Sequence, residues 1–312
     1  MSAAVRPPVK PPVQGDVVTP PPALLIAGHG TRHEGAADAL EALVHTLAER
    51  HPEVPVAGGF FGAAGSPRPV SGAVGELVRR GATRITAVPL LPAPTGPLRE
   101  SLPDALAAAT AAYPGVGYDC AAELGPHPAL LGVLERRLDE ALGAGARRPR
   151  DRARTTVLLV GRGAADPYAN AEVVRAARLL WEGRGFAGVE TAFVTLAAPD
   201  VPAGLDRCHA LAAAAPGATG PTRIVVLPYF YFAGDLLERL RMQAEGWAAA
   251  HPGTEVIGAQ VIGPAPELAE VVMERYRATV AGEARGGGRA AAGDARPPFG
   301  AVPPAAGTGG RA

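Results

Sequence analysis

The stretch Leu24-Leu25-Ile26-Ala27-Gly28-His29-Gly30 returns, about 133 positions later, as Val157-Leu158-Leu159-Val160-Gly161-Arg162-Gly163. Four apolar residues ended by glycine read as a short strand buried on both faces, the signature of a parallel sheet. Working outward from this pair, the repetition continues in order. Gly81-Ala82-Thr83-Arg84-Ile85-Thr86-Ala87-Val88-Pro89 corresponds to Gly220-Pro221-Thr222-Arg223-Ile224-Val225-Val226-Leu227-Pro228. Tyr113-Pro114-Gly115 corresponds to His251-Pro252-Gly253, and Leu124-Gly125-Pro126-His127-Pro128 to Ile262-Gly263-Pro264-Ala265-Pro266. A period this long is not that of a solenoid; it marks a duplicated domain.

Each copy alternates strand and helix. In copy one the pattern predicts strands over 24–27, 54–60, 85–91 and 117–121, with helices over 35–50, 70–80, 103–112 and 129–142. The first helix places Ala36, Leu40, Leu43, Val44 and Leu47 on one face, and the third opens with Pro103 at the first position, where proline is tolerated. Copy two follows with strands over 156–160, 189–194, 223–230 and 255–261 and helices over 169–182, 203–215, 236–251 and 267–280. The expected fold class is α/β: two similar parallel-sheet domains, residues 23–142 and 155–280, facing each other across one cleft. Residues 1–22 hold seven prolines, 143–154 are small and basic, and 281–312 are rich in Gly, Ala, Pro and Arg. These three segments bury too little apolar surface to offset their ordering entropy and are expected to be two disordered tails and a solvated linker.

Composition narrows the function classes. Acids and bases balance at 30 each, so no charge field favours nucleic acid or an anionic membrane surface. Cys120 and Cys208 lack CxxC spacing, which argues against a thiolate metal site or a disulfide framework. No apolar run is long enough to span a bilayer, and the Pro-rich start is unlike a signal peptide. The expected compartment is the cytoplasm. No GxGxxG or GxxxxGK[ST] follows a strand, so a nucleotide module is disfavoured.

Ligands of open parallel sheets bind beyond the carboxyl ends of the strands. That edge holds Gly28-His29-Gly30 and residues 60–69 and 91–103 in copy one, and 161–167, 195–199 and 229–235 in copy two. His29 is the sharpest candidate, since neutral imidazole both ligates divalent iron, cobalt, nickel and zinc and accepts protons; a plain turn residue is the alternative. Arg32 and Arg162 keep their protons near neutral pH and suit carboxylate clamping better than metal binding. Tyr229, Phe230, Tyr231 and Phe232 cluster at a strand end and either pack on a flat ligand or fill the core. Asp166-Pro167 reads as a helix N-cap with proline at N1.

Leu24 to Arg32, as Leu-Leu-Ile-Ala-Gly-His-Gly-Thr-Arg, resembles the opening of the sirohydrochlorin cobalto- and ferrochelatases. Gly161-Arg162-Gly163 with Asp166-Pro167 and Asn170, Leu179-Leu180-Trp181-Glu182-Gly183-Arg184-Gly185-Phe186, and Leu227-Pro228-Tyr229-Phe230-Tyr231-Phe232-Ala233-Gly234 resemble the second copy of the long, duplicated members. The likeness covers roughly residues 23–280. It implies a lyase that inserts a divalent metal, cobalt or iron, into sirohydrochlorin on the way to siroheme or cobalamin, with the metal as substrate and no organic cofactor.

The resemblance also implies two histidines and a glutamate that handle metal and protons. His29 fits the first histidine. Pro97 stands where the second is expected and Gly62 where the glutamate is expected; Arg162 and Asp235 occupy the matching histidine positions of copy two. His33, four residues past His29, and Asp235 are candidate substitute ligands, His33 if the chain between them is helical; a solvated first-turn residue and a helix N-cap are their bland readings. Arg32, Arg162 and Tyr229 are the candidate substrate-binding residues. Two functions remain open: a working chelatase, and a weakened relative that binds or carries a tetrapyrrole or metal without inserting it.

Overall fold

The computed structural model describes residues 20–30, 33–62, 65–92, 96–143, 149–214 and 222–285. The first half runs β1 (Ala23–His29), α1 (Glu34–Arg50), β2 (Val56–Phe61), α2 (Val70–Arg79), β3 (Arg84–Leu90), α3 (Gly96–Thr110), β4 (Gly117–Cys120) and α4 (Pro128–Leu142). A one-turn helix, α5 (Pro149–Arg152), precedes the second half. That half runs β5 (Thr155–Gly161), α6 (Pro167–Trp181), β6 (Gly188–Phe193), α7 (Val201–Ala214), β7 (Thr222–Pro228), α8 (Asp235–Ala250), β8 (Thr254–Gly258) and α9 (Pro266–Arg285). Among the described residues no helix is long and apolar enough to cross a membrane.

Two parallel four-stranded sheets result, ordered β2-β1-β3-β4 and β6-β5-β7-β8. The register repeats too: Leu24 sits opposite Val56 and Thr86, as Val157 sits opposite Val189 and Val225. β1 and β5 are flanked on one side by the next strand in sequence and on the other by the one after it. The chain therefore leaves each central strand toward opposite faces, and the ends of β1 and β5 are switch points where a crevice opens.

Alternation along the central strands divides the core in three. Leu25 and Ala27 pack under α2 and α3. Leu158 and Val160 pack under α7 and α8. Leu24, Ile26, Val157 and Leu159 face a shared core with α1, α4, α6 and α9, which joins the two copies.

In that shared core the copies exchange their final helices. α4, the last helix of copy one, lies against β7, β8 and α6, whereas α9, the last helix of copy two, lies against β3 and α1. Each copy is roofed by the other's final helix.

Other boundaries move as well. α3 begins at Gly96, seven residues earlier than expected, and Pro103 falls inside it instead of opening it. Pro97 sits in the first turn, where a missing N–H costs nothing because that N–H has no helical acceptor. The basic linker is in part an anchored element: Arg152 bonds Glu135 Oε1 at 3.0 Å and Asp139 Oδ1 at 2.5 Å, both on α4. Residues 144–148 of that linker and the tails at 1–19 and 286–312 lie outside the described residues. α9 continues past 280, into the segment expected to be a tail.

Candidate functional site

His29 is the last residue of β1, still paired with Phe61 of β2. It is thus carried on the strand itself, one step earlier than the turn expected from its flanking glycines. Its ring meets the Phe61 ring edge to face, with centroids 5.4 Å apart. Arg162, at the end of β5, reaches across from copy two and places Nη1 2.8 Å from His29 Nδ1. A guanidinium has only donors, so Nδ1 accepts and the neutral ring carries its proton on Nε2. Burial, with the Arg162 charge second, lowers the His29 pKa to about 4.

Arg162 is an exposed side chain on a fixed backbone. Its carbonyl accepts from Thr195 N at 2.9 Å and Thr195 Oγ1 at 3.1 Å. Gly163 follows at φ +89°, and a Cβ there would lie 1.8 Å from Thr195 O, so no other residue fits this approach. Asn170 then locks the loop by accepting from Ala164 N at 2.9 Å and donating to Ala164 O at 2.8 Å. Asp166 accepts from Tyr168 N at 2.9 Å and caps α6 with Pro167 at its start, as its sequence predicts.

His29 and Arg162 line a cleft of about 420 Å³ between the copies, together with Asn170, Thr195, Tyr229 and Asp235. Asp235 is exposed as the first residue of α8; the N-cap position is Gly234, with no side-chain cap bond, so the N-cap alternative for Asp235 does not hold. Tyr229 is 1 % exposed and its hydroxyl donates to Gly125 O of copy one at 3.4 Å. Its ring packs in the shared core behind the cleft wall and its hydroxyl joins the halves, so the core-filling alternative for this side chain holds.

His33 is the N-cap of α1 in an extended conformation, so residues 29 and 33 do not share a helix face and the premise for pairing them fails. Arg32 and the Pro97 side chain lie outside the described residues. Gly62 stands directly beside the histidine: a Cβ on it would lie 2.9 Å from His29 Nε2. Its φ of +78° is a backbone that side-chain-bearing residues rarely adopt. Among the described residues, no three His, Cys, Asp or Glu side chains gather into a metal cage.

Sequence reasoning placed 195–199 on the ligand edge without singling out Thr195, and it missed the His29–Arg162 bond. The signal for the bond was present, because the duplication makes the two residues equivalent and a cleft between equivalent edges brings equivalent positions together.

Known proteins share this architecture. The CbiX family profile matches twice, over residues 23–141 and 156–279. A sirohydrochlorin cobaltochelatase of Priestia megaterium is 32 % identical over 216 residues, covering 69 % of this chain and 67 % of that protein. A sirohydrochlorin ferrochelatase of the same organism is 28 % identical over 224 residues, 72 % of this chain and 78 % of its own length. The structure of SirB from Bacillus subtilis with Fe3+ has the same fold, with a TM-score of 0.67 at 22 % identity, over 86 % of this chain and 98 % of that one. The chain belongs to the CbiX family of sirohydrochlorin chelatases and carries the family's domain twice.

Proposed function

We propose that this protein inserts a divalent metal, cobalt or iron, into sirohydrochlorin, acting in the cytoplasm on the route to siroheme or cobalamin. The observation that carries this reading is His29 at the switch point of copy one, neutral and facing a cleft whose opposite wall presents Arg162. Insertion exchanges two pyrrole protons for one M2+. His29 has one lone pair to offer at a time: it is the candidate ligand that delivers the metal and, once the metal has passed to the ring, the candidate acceptor of a pyrrole proton, both protons leaving to solvent through the open cleft. Arg162 and Arg32 are the candidate partners of the ring's carboxylates, Tyr229 backs the cleft wall from the core, and Asp235 is a candidate oxygen ligand from copy two.

A second reading, binding or transfer of the tetrapyrrole without insertion, is favoured by Gly62, which puts no carboxylate beside His29. One experiment separates them. The purified protein is incubated anaerobically with sirohydrochlorin and Co2+ or Fe2+ and the absorbance is followed. Conversion faster than the protein-free control supports insertion. Ring binding with no acceleration supports the carrier.

A further inference from the structure

Neither nitrogen of His29 offers the cleft a free lone pair. Nδ1 accepts from Arg162 at 2.8 Å, which uses its lone pair. Nε2 then carries the proton, and it faces Gly62. A metal ion approaching His29 therefore finds no free lone pair and meets a guanidinium cation first. The same guanidinium is a planar fork that pairs better with a carboxylate than with a neutral imidazole, because that bond joins opposite charges. Only the Arg162 side chain has to move, since Thr195, Gly163 and Asn170 hold its backbone.

We propose that Arg162 is a latch on His29: it keeps metal off the imidazole until a carboxylate of the incoming macrocycle draws the guanidinium away, so that the ring binds before the metal. Arg162 is on this account a positioning residue acting through His29. The inference rests on the chelatase reading for the identity of the carboxylate, while the latch itself is a property of the empty protein.

The test uses Co2+ alone with the full chain at neutral pH, followed by visible absorbance and calorimetry. Arg162→Ala is expected to bind Co2+ about tenfold or more tightly than the natural protein, with the absorption bands of a nitrogen-ligated ion. Arg162→Lys, which keeps a donor and a charge, should restore weak binding, and His29→Ala with Arg162→Ala should lose the gain. Acetate should strengthen Co2+ binding to the natural protein and not to Arg162→Ala. Thermal melts check folding, and Arg162→Met, which keeps the stem without the donors, replaces the alanine variant if that one unfolds. Equal Co2+ affinity in the natural protein and Arg162→Ala overturns the latch, as does a gain that survives loss of His29. If Arg162→Ala unmasks Co2+ binding at His29 and yet no variant inserts metal, the latch stands and the chelatase reading fails.

Discussion

Arg137 and Arg275 make the same pair of bonds in opposite directions across the duplication. Arg137 on α4 donates from Nε to Val261 O and from Nη2 to Ile262 O, each at 2.9 Å. Arg275 on α9 donates from Nε to Glu123 O at 3.1 Å and from Nη2 to Leu124 O at 3.2 Å. Each fork satisfies two carbonyls in the segment that follows the other copy's edge strand, and each fixes the helix that roofs that copy.

The two copies should therefore not separate. Alone, residues 1–142 would expose the α4 face bearing Leu130, Leu134 and Leu138, all fully buried in the whole chain, and would leave β3 without α9. The full chain is expected to unfold in one calorimetric transition, and the isolated first copy to aggregate or pair with itself. Two resolved transitions, or a well-folded monomeric half, would show that the crossed helices are decoration.

His29 should titrate at about 4 by NMR. Burial is the larger cause and Arg162 the smaller, so Arg162→Ala should raise the value while leaving it below 6.5. A histidine depressed on folding takes up its proton more readily when unfolded. Its contribution to stability is therefore complete above pH 6.5 and is lost as pH falls toward 4. A His29 that titrates at its ordinary value in the natural protein would mean that the ring is not held in this buried, arginine-bonded arrangement.

Gly62→Glu should fail to build a better site on its own. The left-handed backbone costs a side-chain-bearing residue about 1–3 kcal/mol, and the new Cβ would press on His29 Nε2. The expected result is a lower unfolding midpoint and no faster insertion, even with Pro97→His added. A variant of undiminished stability that gains rate would show that this turn relaxes easily and that a carboxylate here is all the site lacks.

Glu135 ties the linker to α4. Burial pushes its carboxyl up, but bonds from Arg152 and from Arg184 Nε at 2.9 Å, and their charges, hold it below the usual carboxylate range. Its contribution is present above that range and is lost as pH falls through the lowered value. Glu135→Gln is expected to cost about 1 kcal/mol in urea unfolding, less at high salt because the cluster is partly solvated. No change at low salt would return the segment around Arg152 to the status of a free linker.

The fold was legible because the repeat is written in apolar residues whose spacing survives duplication: residues 24–27 and 157–160 predict two central strands by themselves. The crossing of α4 and α9 was not, since a helix's apolar stripe states that it is covered without stating by which sheet. α3 was shortened because Pro103 reads as a start, and proline inside a helix is the rarer case. At the site, His29 and Arg162 were singled out, but their bond joins positions 133 residues apart and depends on how two sheets face each other. Gly62 was marked only as a lost carboxylate; that its positive φ makes the loss hard to reverse is a backbone fact without a sequence pattern.

The central claim is that this cleft inserts metal through His29. It is tested most directly by the initial rate of metal insertion into sirohydrochlorin, compared between the natural protein and His29→Ala at matched ring and metal concentrations. Losing a ligand and proton acceptor should lower the rate by about 10²–10⁴-fold while ring binding, followed by fluorescence, changes little. Equal rates in the two proteins would contradict the account.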